Sequence, residues 1–97
     1  MNTYIILGNW TDQGVREIKN SPARLDAAKT LMKGLGGELK SFYLTMGSFD
    51  MVVVAELPDD AAAARGALRI ASGGAARTIT IKAFPEQEYR QIIASLG

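Results

Sequence analysis

Phe42-Tyr43-Leu44-Thr45-Met46-Gly47-Ser48-Phe49-Asp50-Met51-Val52-Val53-Val54-Ala55-Glu56 is the stretch whose reading decides the fold. It reads as two strands joined by a tight turn. Gly47 sits where a hairpin needs a residue that tolerates positive φ. Ser48 and Asp50 can hydrogen-bond to nearby backbone, ending one strand and starting the next. Met51 to Ala55 scarcely alternates between apolar and polar, the pattern of a central strand covered on both faces.

Working outward, Thr3 to Asn9 is a first strand, also apolar at successive positions and so also central. Thr11 can cap a helix whose first turn holds Asp12, a charge that suits the helix dipole. Val15 and Ile18 are expected to face inward. Asn20-Ser21-Pro22 interrupts this helix, with Ser21 as a second N-cap and Pro22 as the first helical position. Leu25, Ala28, Leu31, Met32 and Leu35 then follow at helical spacing until Gly34, Gly36 and Gly37 end the segment. Glu38 to Met46 is the second strand and Asp50 to Glu56 the third. Ala61 to Ala71 has strong helix propensity, with Ala64, Leu68 and Ala71 expected inward. Arg77 to Phe84 alternates, placing Ile79, Ile81 and Ala83 on one face and Thr78, Thr80 and Lys82 on the other, which suits an edge strand. After Pro85, Tyr89, Ile92, Ile93 and Leu96 form a narrow apolar stripe on a last helix.

The order is β-α-β-β-α-β with an added C-terminal helix. It predicts an α+β, ferredoxin-like fold with a four-stranded antiparallel sheet, as one domain over residues 1–97. Two right-handed crossovers put both helices on one face and leave the other bare. A bare face carrying several large apolar side chains exceeds what soluble monomers expose. The expectation is therefore a homodimer or higher oligomer through the sheet face, of the dimeric α/β-barrel type. Cover by the chain's own C-terminal helix is the rival.

Composition narrows the chemistry. The chain has 97 residues, 47% of them hydrophobic and 22% charged, and a net charge of +1. No basic stripe points to nucleic acid as a partner. No apolar run approaches the roughly 20 residues of a membrane span, and no targeting segment is evident, so a cytoplasmic protein without a membrane partner is expected. There is no cysteine and no histidine. Thiolate nucleophiles, cysteine metal sites, imidazole bases and histidine-ligated haem are thereby removed. No cofactor is expected.

A set of short motifs runs through nearly the whole chain: Tyr4-Ile5 with Leu7, Trp10-Thr11-Asp12-Gln13-Gly14, Ile18-Lys19, Ser21-Pro22 with Arg24, Thr45-Met46-Gly47, Asp50, Arg77-Thr78, Ala83-Phe84 and Glu88-Tyr89. In these motifs and their order the chain resembles the GYD-domain family of small bacterial and archaeal proteins. One departure lies in the signature itself, which here is Gly47-Ser48-Phe49-Asp50, with phenylalanine in place of tyrosine. A phenolic hydroxyl at that place is not essential here. The resemblance implies a ferredoxin-like fold related to dimeric α/β barrels and implies no reaction.

Six residues are candidate ligand-binding groups, and each has a plainer reading. Trp10, at the end of the first strand, could line a pocket and stack on a planar ligand, or anchor the first helix or a dimer seam. Asp50 and Arg77 could hold a polar ligand group at one end of the sheet, or secure their own loops. Lys19 and Arg24 flank the helix break and could bind an anion with the free N–H groups near Ser21, or form a solvated surface. Tyr43 could face a pocket or an interface. The carboxylates form no metal set, and no catalytic residue is assigned.

The leading expectation is a homo-oligomeric small-molecule binding or sensing module with a pocket on the sheet face. The alternatives are a cofactor-independent, oxygenase-like enzyme, which the missing histidine disfavours, and a purely structural interaction domain.

Overall fold

In chain order the computed structural model, which describes Met1 to Gly97, runs as follows: β1 (Asn2–Trp10), α1 (Asp12–Arg16), a 3-10 turn (Ile18–Asn20), α2 (Ser21–Gly34), β2 (Glu38–Leu44), β3 (Met51–Leu57), α3 (Asp60–Gly73), β4 (Ala76–Ala83) and α4 (Glu86–Ala94). The strands form one antiparallel sheet in the order β2-β3-β1-β4. β1 and β3 are central and β2 and β4 are the edges, the α+β ferredoxin-like arrangement expected from the order of elements.

Register explains the core. Tyr4 pairs with Ala55 and Ile6 with Val53, so these four side chains share one face. Together with Leu57 they meet Met32 of α2 and Ala62 and Ala63 of α3. Leu35, Leu39, Phe42 and Ile70 pack around this cluster. Small residues let α3 lie close. A Cβ built on Gly66 would stand 3.3 Å from Leu35 Cδ1, so glycine there lets α2 and α3 meet.

The helix ends are fixed as their residues suggest. The Thr11 hydroxyl accepts from Gly14 N, and the Asp59 carboxylate accepts from Ala62 N. Gly74 closes α3 in the left-handed conformation, at φ 81°. Tyr4, buried in the sheet, donates its hydroxyl to Asp60 Oδ1 at 2.5 Å and so ties β1 to the start of α3.

Several expectations are corrected. The hairpin connection is a loop rather than a tight turn: Thr45 N donates to Asp50 O at 2.9 Å, and Gly47 adopts φ 114° within it. Ser21 is the first residue of α2 and its hydroxyl makes no cap bond; Asn20 stands at the cap. Val15 and Ile18 face solvent, because α1 and the 3-10 turn lie at the end of the sheet rather than over it. On α3 the inward residues are Ala62, Ala63 and Gly66, whereas Leu68 is 70% exposed and Ala64 and Ala71 are also outside. On this alanine-rich helix the inward face is the one whose small residues, Ala62, Ala63 and Gly66, allow the closest approach to the sheet and α2.

The open face is apolar. Ile5 lies opposite both Val54 and Ile81, and Leu7 lies opposite both Val52 and Ile79. All six side chains point away from the helices, and Ile79 and Ile81 are exposed. The polar side of β4, with Thr78, Thr80 and Lys82, is the helix side. α4 does not close the open face. No residue of α4 is buried and it makes no extended contact with any other element. Its stripe of Tyr89, Ile92, Ile93 and Leu96 is exposed.

Candidate functional site

Alternation along β1 aims Tyr4, Ile6, Gly8 and Trp10 toward the helices. Beyond the packed end of the core, α2 and α3 stand apart over the sheet. A cavity of about 490 Å³ opens between them. Ile6, Trp10, Phe42, Met51 and Val53 form its floor. Leu25, Ala28 and Leu31 line it from α2, and Ile70 and Gly73 from α3. The void persists because alanine and glycine on the facing helices are too short to fill it. It lies on the helix side of the sheet, not on the open face where the sequence places a pocket. None of the six open-face residues named above lines it.

Two cations border the cavity, Arg24 and Arg69, and no acidic residue lines it. Arg24 is half-buried, and its guanidinium donates to Glu17 O at 3.0 Å and to Gly14 O at 3.3 Å. These bonds hold it against the end of α1, where Glu17 O also accepts from Asn20 N at 2.9 Å. Arg69 is exposed at the rim, and no side-chain hydrogen bond or ion pair engages it. Ser21, at the amino end of α2, and Thr78 add hydroxyls to the lining.

Trp10 is held by its backbone. Its N–H donates to Asp50 Oδ2 at 3.0 Å, while Asp50 N donates to Gly8 O at 2.9 Å and to Asn9 Oδ1 at 3.1 Å. Asp50 thus fastens the hairpin loop to the end of β1. Gly14 completes the corner: a Cβ there would run into the Ala75 carbonyl and crowd Trp10 Cβ. Glycine is required because α1 passes directly over the start of β4. Gly14 is therefore more than the weak helix residue its propensity suggests.

The structure brings Trp10 and Arg24 together at the cavity and joins Asp50 to Trp10 through the backbone. Arg77 lies opposite Asn9 at the same end of the sheet, outside the cavity. Tyr43 is 60% exposed on β2 and shares the open face with its register partner Val52. Lys19 is exposed in the 3-10 turn and stands apart from the others. Arg69 escapes a reading of the sequence, because its place at the rim depends on how α3 is rotated. No group of His, Cys, Asp or Glu side chains is placed to hold a metal ion, and no helix is long and apolar enough to cross a membrane.

Tyr4 is displaced from its ordinary range by its surroundings. Burial pushes its phenol above the model-compound value of 10.0, and the hydrogen bond to Asp60 adds to the effect. Lys82 Nζ stands 5.9 Å from the centre of the Tyr4 ring and 4.5 Å from that of Phe84.

These features define a small α+β protein with one apolar sheet face left open and an apolar cavity under its helices. The chain belongs to the GYD domain family, whose model matches residues 4–93. It is 34% identical over 86 residues to the glutamine synthetase and cystathionine beta-lyase binding protein of Thermus thermophilus, covering 88% of this chain and 90% of that one. In fold it is similar to the crystal structure of TTHA0845 from Thermus thermophilus, with a TM-score of 0.50, 24% identity, and coverage of 88% of this chain and 95% of that chain.

Proposed function

We propose that this chain is a binding module that works as a homo-oligomer. The open sheet face is the contact between copies, and the helix-side cavity takes a small molecule. The observation that carries the assembly is the run of Ile5, Leu7, Val52, Val54, Ile79 and Ile81 across three adjacent strands, with no element of the same chain laid over it. Exposed apolar patches of several hundred Å² mark interaction surfaces. Burying about 800 Å² per copy, the size of a standard interface, against a like face supports a stable dimer. A relative named for binding two enzymes supports a binding role over a catalytic one. So does a chain without histidine or cysteine, since the commonest general base and the most reactive nucleophile are absent.

Sedimentation equilibrium at micromolar concentration tests the assembly. The wild type is expected to be a dimer or larger. Val54→Asp, which places a charge at the middle of the face, is expected to sediment as a monomer with an unchanged far-UV circular dichroism spectrum. Ile81→Lys gives a second reading from the edge strand, should Val54→Asp fail to fold. A monomeric wild type sinks the proposal.

A further inference from the structure

Resting on the reading of the helix-side cavity as a small-molecule site, we infer that its ligand is an apolar monocarboxylate, with the carboxylate at Arg69 and the apolar body against Trp10. Three observations select this class. The floor and walls are almost wholly apolar, so the body of the ligand is apolar. The two charged residues in the lining are both arginines, and no aspartate or glutamate lines the space to neutralise them. An apolar cavity bordered by cations without counterions favours an anion over a neutral or cationic molecule of the same shape.

The arginines divide the work. Arg24 already gives bonds to the Glu17 and Gly14 carbonyls, so it contributes fixed positive charge. Arg69 has its whole guanidinium fork free, which matches the two oxygens of a carboxylate. Ser21 places the amino end of a 14-residue helix at the same cavity, adding to the positive potential. At about 490 Å³ the cavity falls within the roughly 300–1,000 Å³ usual for small-molecule sites and has room for a ten-carbon acid such as decanoate.

Trp10 is the chain's one tryptophan and lies in the lining, so its emission reports on occupancy. Decanoate, decanol and decylammonium, titrated below their aggregation concentrations, share a tail and differ in head group. Decanoate is expected to shift Trp10 emission saturably, with affinity at least tenfold above decanol and no saturable binding by decylammonium. Arg69→Gln should weaken decanoate at least tenfold and leave decanol unchanged, and Arg69→Lys should recover part of the loss. Equal affinity for decanoate and decanol, or an unaltered decanoate affinity in Arg69→Gln, overturns the carboxylate assignment while the cavity remains a small-molecule site. No change in Trp10 emission or in melting temperature with any of the three overturns the assignment and the cavity reading together.

Discussion

Replacing Tyr4 by phenylalanine removes one oxygen and keeps the ring in the core. The ring is 2% exposed, so its packing is retained. What disappears is the 2.5 Å bond from the phenol to Asp60, which spans from residue 4 to residue 60 and joins β1 to α3. A hydrogen bond to a charged acceptor contributes about 1.5–3 kcal/mol. Asp60 is exposed and regains water when the phenol leaves, so the lower end applies, about 1.5 kcal/mol. For a domain of this size that lowers Tm by about 6–12 °C. Thermal and urea unfolding followed by circular dichroism at pH 7 measure it. The sign of the pH dependence gives a second handle. Because the folded phenol is raised above 10.0, its contribution is fully present below pH 10. It is lost as pH rises beyond that, where the unfolded phenol ionises while the folded one stays protonated. Subtracting the variant's stability from the wild type's cancels the lysines and the other tyrosines. That difference should be flat from pH 6 to 9 and shrink above about pH 10. A variant that melts within a degree of the wild type at pH 7, or a gap that widens at alkaline pH, would refute the reasoning.

Other substitutions test the corner that holds Trp10. Gly14→Ala should destabilise by about 1–3 kcal/mol, because the new methyl meets backbone at Ala75 and cannot be accommodated by a rotamer change; urea midpoints read it. At the opposite end of the sheet, where Glu56 pairs with Thr3, Gly37→Ala should cost a similar amount, since its Cβ would collide with the Glu56 carbonyl. Asp50→Ala should cost about 1–2 kcal/mol by orphaning Trp10 N, with faster amide exchange at Trp10 as the specific signature. If Asp50→Ala leaves Trp10 exchange unchanged, the loop is not fastened in the way described.

Three strands were legible from β-branched residues in β1, β3 and β4, and β2, which has none, from its paired Phe42 and Tyr43 between Gly36-Gly37 and Gly47. The first strand and Met51–Ala55 are apolar on both sides, and the sheet does set them at its centre. The faces of the helices were less legible. In α3 alanines lie on both the Leu68 side and the Gly66 side, and the one large leucine drew the reading toward its own side. Tertiary packing chose, and the larger side chain was left outside. The cavity was illegible for the same reason. It is a gap set by the separation of two helices, and a sequence records side chains rather than the spaces between them. Trp10 and Arg24 could be suspected from residue type and position, whereas Arg69 could not be, because an arginine on a polar-looking helix carries no sign of where it points.

The irregularity in β2 has a consequence for how this strand can vary. Leu39 pairs with Ala55 and Ser41 with Val54, leaving Lys40 as an extra residue between them. Beyond this bulge every side chain of the strand has changed sides, and that is why Leu39 and Phe42, three apart in sequence, both turn toward the helices. Removing Lys40 alone would restore plain alternation, with Leu39 still opposite Ala55 and Phe42 still opposite Val53, so both would still turn toward the helices. Removing Lys40 and Ser41 together would set Phe42 directly after Leu39, opposite Val54, and send it to the open face. The bulge therefore gives this edge strand one residue of slack: Lys40 can be lost without disturbing the floor of the cavity, whereas losing two residues there exchanges the two surfaces along that edge.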